Sequence, residues 1–205
     1  WLDACRPASV RCLRFGELAC HSPHFPARAR PIAMSTQRLS VYGLRQAFIA
    51  GIQRVVAQRD ELNRINVFPV ADGDTGTNLA FTLGAVLQGV RAPRFANAGD
   101  VLRCVAMEAI DGARGNSGVI LAHFFQGAAE ALEPGQALTL PVLAQAVLRG
   151  SSRARAVIDE PREGTILSVI QIFGEELSAE AAAGGSDIRA GFRRALDRAF
   201  RSRRQ

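Results

Sequence analysis

From Met34 onward the apolar residues recur every three or four positions, and no run alternates in the way a half-buried strand requires. Leu39, Leu44, Phe48, Ile52, Val55 and Val56 form the first stripe, in a helix capped by Ser35 or Thr36 and reaching about Asn63. Pro69 cannot continue it. A second helix is expected from near Thr77 through Leu79, Leu83, Val86, Leu87 and Val90. A third runs from about Asp100 to Asp111, with Asp100 as cap and Val101, Leu102, Val105 and Ile110 buried. The fourth passes through Val119, Ile120, Phe124 and Phe125 and stops at Pro134 and Gly135. Thr139 caps a fifth, with Pro141 in its first turn, where a missing N–H costs nothing. Thr165 opens a sixth through Ile166, Val169, Ile170 and Phe173. AEAAAGGS reads as a linker, and Asp187 starts a last, Arg-rich helix. The fold class is all-α.

Three of these helices are preceded by glycine-containing loops: DGDTGTN, GARGNSG and REGT. The first turn of a helix presents free N–H groups and a partial positive charge, and glycine lets the backbone approach an anion closely. The first loop adds Asp72 and Asp74, flanking Gly73, so both carboxylates can reach one side. Mg²⁺ takes oxygen ligands, often one or two carboxylates plus substrate phosphates. Thr75, Thr77 and Asn78 can add oxygens or donors. The bland alternative is an Asx turn with an N-cap at Asp74 or Thr75. In the second loop Asn116 and Ser117 stand at a helix start with Arg114 as a nearby cation, although Gly112, Gly115 and Ser117 would equally serve as ordinary caps.

The 25 basic residues are all Arg, so a P-loop, which requires Lys, is excluded. An EF-hand opening at Asp72 fails because Thr77 and Leu83 stand where Gly and Glu are needed. Phosphatases of the haloacid-dehalogenase type also place two Asp one residue apart, but on alternating strands and helices that this pattern lacks.

Charge narrows the partners. The net +6 divides into +3 over residues 1–33, −3 over 34–188 and +6 over 189–205, so the body carries no basic groove and no nucleic-acid partner is expected. The basic C-terminal helix reads as a solvated face. Apolar runs fall short of the ~18 residues of a membrane span.

Residues 1–33 show no period and hold Cys5, Cys12, Cys20, His21 and His24. Their spacing lacks the close cysteine pair of a structural zinc site, and no apolar segment of signal-peptide length is present. This stretch is read as a disordered leader or a misassigned start, with the domain covering 34–205. Cys104 alone remains in the body, which suits a reducing, cytoplasmic setting.

NVFPVADGDTGTN, GARGNSGVIL and REGTILSVI together resemble the signature segments of the Dak2 (dihydroxyacetone kinase L-type) nucleotide-binding domain, in the version that opens bacterial fatty acid kinase catalytic subunits. The resemblance covers about Met34 to the C-terminus. It implies a barrel or bundle of about eight antiparallel helices with ATP and Mg²⁺ at one end. The family's metal-binding and catalytic carboxylates fall on Asp72 and Asp74, and Asn66 is the nearest counterpart of a third, upstream Asp. Nucleotide contacts fall on Thr75, Gly76, Thr77, Asn78, Arg114, Gly115, Asn116, Ser117 and Gly118, with Gly164 and Thr165 in a loop that closes over the nucleotide. The implied reaction is phosphorylation of a fatty acid carboxylate, presented by a DegV-like lipid-binding partner through further domains absent here, so the chain is expected to be inactive alone. A dihydroxyacetone-type kinase subunit and a non-catalytic nucleotide sensor are the alternatives, and a homodimer is left open.

Overall fold

Ser40 starts the first helix: its hydroxyl accepts the Gly43 N–H at 3.0 Å. The computed structural model describes residues 37–66, 72–92 and 95–202. Ser35, Thr36, Pro69 and the cysteines and histidines of residues 1–33 lie outside them, as does the leader reading. Helix α1 (Val41–Ala57) therefore begins later than the apolar stripe suggests, and Leu39 precedes it.

The stretch expected as one helix is two. At Gln58 the backbone leaves helical geometry and its N–H turns back to the Val55 and Val56 carbonyls. The chain resumes as α2 (Arg59–Arg64). Then follow α3 (Thr75–Val90), α4 (Ala98–Asp111), α5 (Gly115–Glu130), α6 (Leu140–Ala156), α7 (Ile166–Ala182) and α8 (Ile188–Ser202). No strand occurs among the described residues.

Three details differ from the sequence reading. Asn97, not Asp100, caps α4, its side chain accepting the Asp100 N–H at 3.0 Å, while the Asp100 carboxylate accepts the Asn97 N–H at 3.2 Å. The acid three residues on completes the box, and the ordered cap simply sits one turn earlier. Ile110 is 43% exposed, because α3 and α5 cover the Val101–Val105–Ala109 face of α4 instead. Finally, α7 extends through Ala182, absorbing half of the AEAAAGGS linker, and the turn begins at Ala183.

Each helix packs on its chain neighbour: α3 on α4, then α4 on α5, and so on to α8, with α1 also on α3. Short connections make these neighbours antiparallel. Val86, Val90, Val101, Val105 and Ala109 are fully buried in the larger core. A second core joins Leu140, Val147, Leu177, Ile188 and Ala195 of α6, α7 and α8. Each fully buried Leu or Val contributes roughly 1.5–3 kcal/mol. Leu39 joins the two cores, its N–H donating to the Leu138 carbonyl at 2.9 Å while its side chain packs on both.

The alternating directions decide where function can sit. Helices α3, α5 and α7 run the same way, so their N-termini share one end of the bundle. All three glycine loops are therefore on that end.

Candidate functional site

The first loop turns at Gly73, whose φ of 65° is the left-handed geometry that glycine adopts without strain. Asp72 and Asp74 on either side are exposed. Asp74 occupies the N-cap position of α3, and its carbonyl accepts the Asn78 N–H at 2.8 Å. Its carboxylate, however, makes no capping bond. Asp74 is thus the N-cap, as the bland alternative has it, but without the side-chain bond of an Asx cap. Asp72 Oδ1 accepts a hydrogen bond from the Asn66 amide at 2.7 Å, which brings Asn66 beside the pair. No cation pairs with Asp72 or Asp74 among the described residues.

Helix α2 holds the start of α3 in place. The Asn63 amide donates to Thr77 Oγ1 at 2.9 Å and accepts the Thr77 N–H at 3.0 Å. Gly76 lies so close that a Cβ there would sit 2.1 Å from the Arg59 carbonyl oxygen. Sequence reading gave Asn63 no role. Its only signal was a polar residue at the end of an apolar helix.

The second loop meets the first. Gly115 (φ 57°) turns the chain from Arg114 into α5, and a Cβ on it would lie 2.4 Å from the Asn78 amide nitrogen. One turn further, a Cβ on Gly118 would lie 2.4 Å from Thr82 Oγ1. These two absent side chains let α5 settle against α3. Arg114 and Asn116 are exposed, and one Arg114 guanidinium nitrogen donates to the Ala113 carbonyl at 2.9 Å. The Ser117 hydroxyl is shut off from solvent and has no hydrogen-bond partner among the described residues, an unusual state for a buried polar atom.

The third loop is on the same end but one helix away. Gly164 (φ 86°) precedes Thr165, whose hydroxyl accepts the Leu167 N–H at 3.4 Å and donates to the Arg162 carbonyl at 2.8 Å. Leu167 is buried with Ile120 and Ala154, which sets the start of α7 beside the second turn of α5. Glu163 accepts from Ser168 at 2.6 Å and pairs with Arg155 at 2.7 Å, so α6 and α7 fasten this loop. The first two loops are in contact, and the third flanks them.

The donor set suits a magnesium-bound triphosphate. Two exposed carboxylates, neither ion-paired among the described residues, and the Asn66 amide oxygen are hard donors, and the neighbouring α3 and α5 starts offer backbone N–H groups around glycines. Among the described residues no cluster of three or more His, Cys, Asp or Glu could form a metal cage from protein groups alone. A site completed by substrate phosphates has no need of one.

Comparison with known proteins identifies a family. Uncharacterized proteins of Staphylococcus aureus strains USA300 and COL are each 36% identical to this chain over 121 residues, 59% of this chain and 22% of theirs. The chain therefore spans about a fifth of the length of these relatives. The family model described as the DAK2 domain, a family associated with kinases, matches residues 69–205, a span that contains α3 through α8. With two thirds of its length matched and all three loops inside that span, the chain belongs to the DAK2 domain family.

Proposed function

We propose that this bundle is the ATP- and Mg²⁺-binding domain of a kinase that converts a fatty acid carboxylate to an acyl phosphate. The observation that carries the nucleotide reading is the meeting of Asn78 with Gly115, which brings together two glycine-lined helix starts, the first of them next to two exposed carboxylates that no cation among the described residues pairs with.

In this reading Asp72 and Asp74 hold the metal, with Asn66 orienting Asp72 through their 2.7 Å bond. When bound, Mg²⁺ neutralises phosphate charge, which is most of what phosphoryl transfer asks of a protein. The Thr75–Asn78 turn and the Gly115–Gly118 helix start supply neutral donors to phosphate oxygens. Arg114, exposed at the same loop, supplies a fixed positive charge. Gly164 and Thr165 border the site from α7.

The acceptor reading rests on the resemblance of the three loops to fatty acid kinases and on chemistry. A fatty acid carboxyl group, with a pKa near ~4–5, is ionised at neutral pH and needs no general base. That agrees with a loop set containing no His. A DegV-like lipid carrier would present the acyl chain through domains beyond this one, in the cytoplasm.

Calorimetry with ATP, with and without Mg²⁺, tests the first half. Binding that disappears in EDTA supports the carboxylate clamp, and metal-independent binding overturns it. Trapping an acyl phosphate with hydroxylamine, after adding a fatty acid-loaded carrier and the longer relative's remaining domains, tests the second. If ATP binds but no acyl phosphate forms, the acceptor assignment fails and a nucleotide sensor is favoured.

A further inference from the structure

We infer that Thr82 is a positioning residue for the nucleotide site: its hydroxyl ties the GARGNSG loop to α3 and so holds the two phosphate-facing helix starts in register. The inference rests on the ATP-site reading above, and it concerns a residue outside all three loops.

Thr82 is completely buried, on the face of α3 one turn below Asn78. Its Oγ1 donates to the Asn78 carbonyl at 2.9 Å and accepts the Arg114 N–H at 3.2 Å. One hydroxyl thus touches a residue from each of the two loops that meet, across 32 positions of sequence. Donation to a carbonyl four residues back is a common local habit of threonine and by itself means little. Acceptance from Arg114 is not local. Arg114 is the residue at which the chain, in extended geometry, enters α5. Its carbonyl then accepts the Gly118 N–H at 3.0 Å, the first backbone bond of that helix. Fixing the Arg114 N–H therefore fixes where α5 starts.

Gly118 completes the arrangement. A methyl group there would lie 2.4 Å from Thr82 Oγ1, so the hydroxyl fills the space that the missing side chain leaves. Asn78 packs on Gly115 in the same way, one turn nearer the mouth. The α3–α5 contact is built in two steps, and Thr82 is the lower one.

Thr82→Val keeps the branched shape and deletes the acceptor, and Thr82→Ser keeps the hydroxyl and deletes only a methyl group. In the 205-residue chain, Thr82→Val is expected to weaken Mg–ATP binding about tenfold by calorimetry, with Thr82→Ser within about twofold of the parent. Hydrogen exchange should rise at residues 113–118 in Thr82→Val and stay unchanged in α7. Val101→Ala, a cavity in the α4 core away from the loops, is the stability control: it should lower the melting temperature without changing affinity or the exchange of residues 113–118. Thr82→Val binding Mg–ATP as tightly as the parent overturns the inference while leaving the ATP-site reading intact. Equal loss of affinity in Val101→Ala also overturns it, because the effect would then be general destabilisation. A parent chain that fails to bind Mg–ATP removes both.

Discussion

Two sets of carboxylates in this molecule have opposite surroundings. Glu180, near the end of α7, is 6% exposed and takes Arg194 at 2.7 Å and Arg198 at 2.6 Å, both from α8. Arg194 beside it, with Arg198 adding to the effect, holds the Glu180 carboxyl below its ordinary value despite an opposing push from burial. Asp72 and Asp74, at the other carboxylate site, are exposed, and no cation pairs with them among the described residues. An acid that the fold neutralises for itself is part of the scaffold. Exposed acids on one loop, with no counter-charge among the described residues, are open to a cation from outside. The difference distinguishes acids that look alike on paper.

The comparison breaks most sharply at Asp74. Asp74→Ala should lower Mg-dependent ATP affinity by at least about 100-fold, roughly 2.7 kcal/mol, and leave the nucleotide-free melting temperature within about 2 °C. A large melting shift measured by calorimetry would place Asp74 with Glu180 among the scaffold acids.

Gly76→Ala drives a methyl group toward the Arg59 carbonyl, 2.1 Å away, and should cost about 1–3 kcal/mol in chemical denaturation. Because Asn63 and Thr77 are anchored by the same contact, ATP affinity should fall as well. Glu180→Gln is the mirror of Asp74→Ala. It should destabilise by about 1–2 kcal/mol, limited by the half-exposed arginines, which can turn to water, and leave ATP affinity unchanged.

Acid titration sharpens the same point. Glu180's folded-state pKa is depressed, so its contribution is whole above the ordinary carboxylate value of 4.5 and is lost as pH falls through the lower folded value. Denaturation followed from pH 7 downward should show this loss in the parent and not in Glu180→Gln. The smallest effect is expected at Asn66→Ala, which removes one exposed donor to Asp72 and should change Mg²⁺-dependent affinity by no more than about threefold.

Most of the helical pattern was legible because a buried stripe leaves a period in the sequence. Leu79, Leu83, Val86 and Val90 lie on one face of α3, as their spacing requires. Boundaries were less so. Gln58 breaks α1 from α2 with no glycine or proline to announce it, and Asn97 takes the cap that Asp100 seemed to offer. The α8 arginines read as a uniform solvated face, yet Arg194 and Arg198 turn onto Glu180, which lies in the stretch that resembled a linker. Small residues around Glu180 gave no hint that the helix continued or that this acid faced inward.

At the candidate site the glycines and the acid pair were visible, since a sharp turn and a carboxylate are properties of single residues. Asn63 and Thr82 were not. Each acts by reaching an atom 14 or 32 positions away, and such a distance leaves no periodic trace.

Local chemistry alone was thus sufficient to say that the chain is helical, that it carries three glycine-bearing helix starts, and that one of them is acidic. Which starts share an end, which two touch, and which carboxylates find an arginine were decided by packing. The direction of α3, α5 and α7 and the closeness of Gly115 to Asn78 follow from how buried faces fit together across the bundle. That fit depends on many distant side chains at once, so no short stretch of sequence contains it.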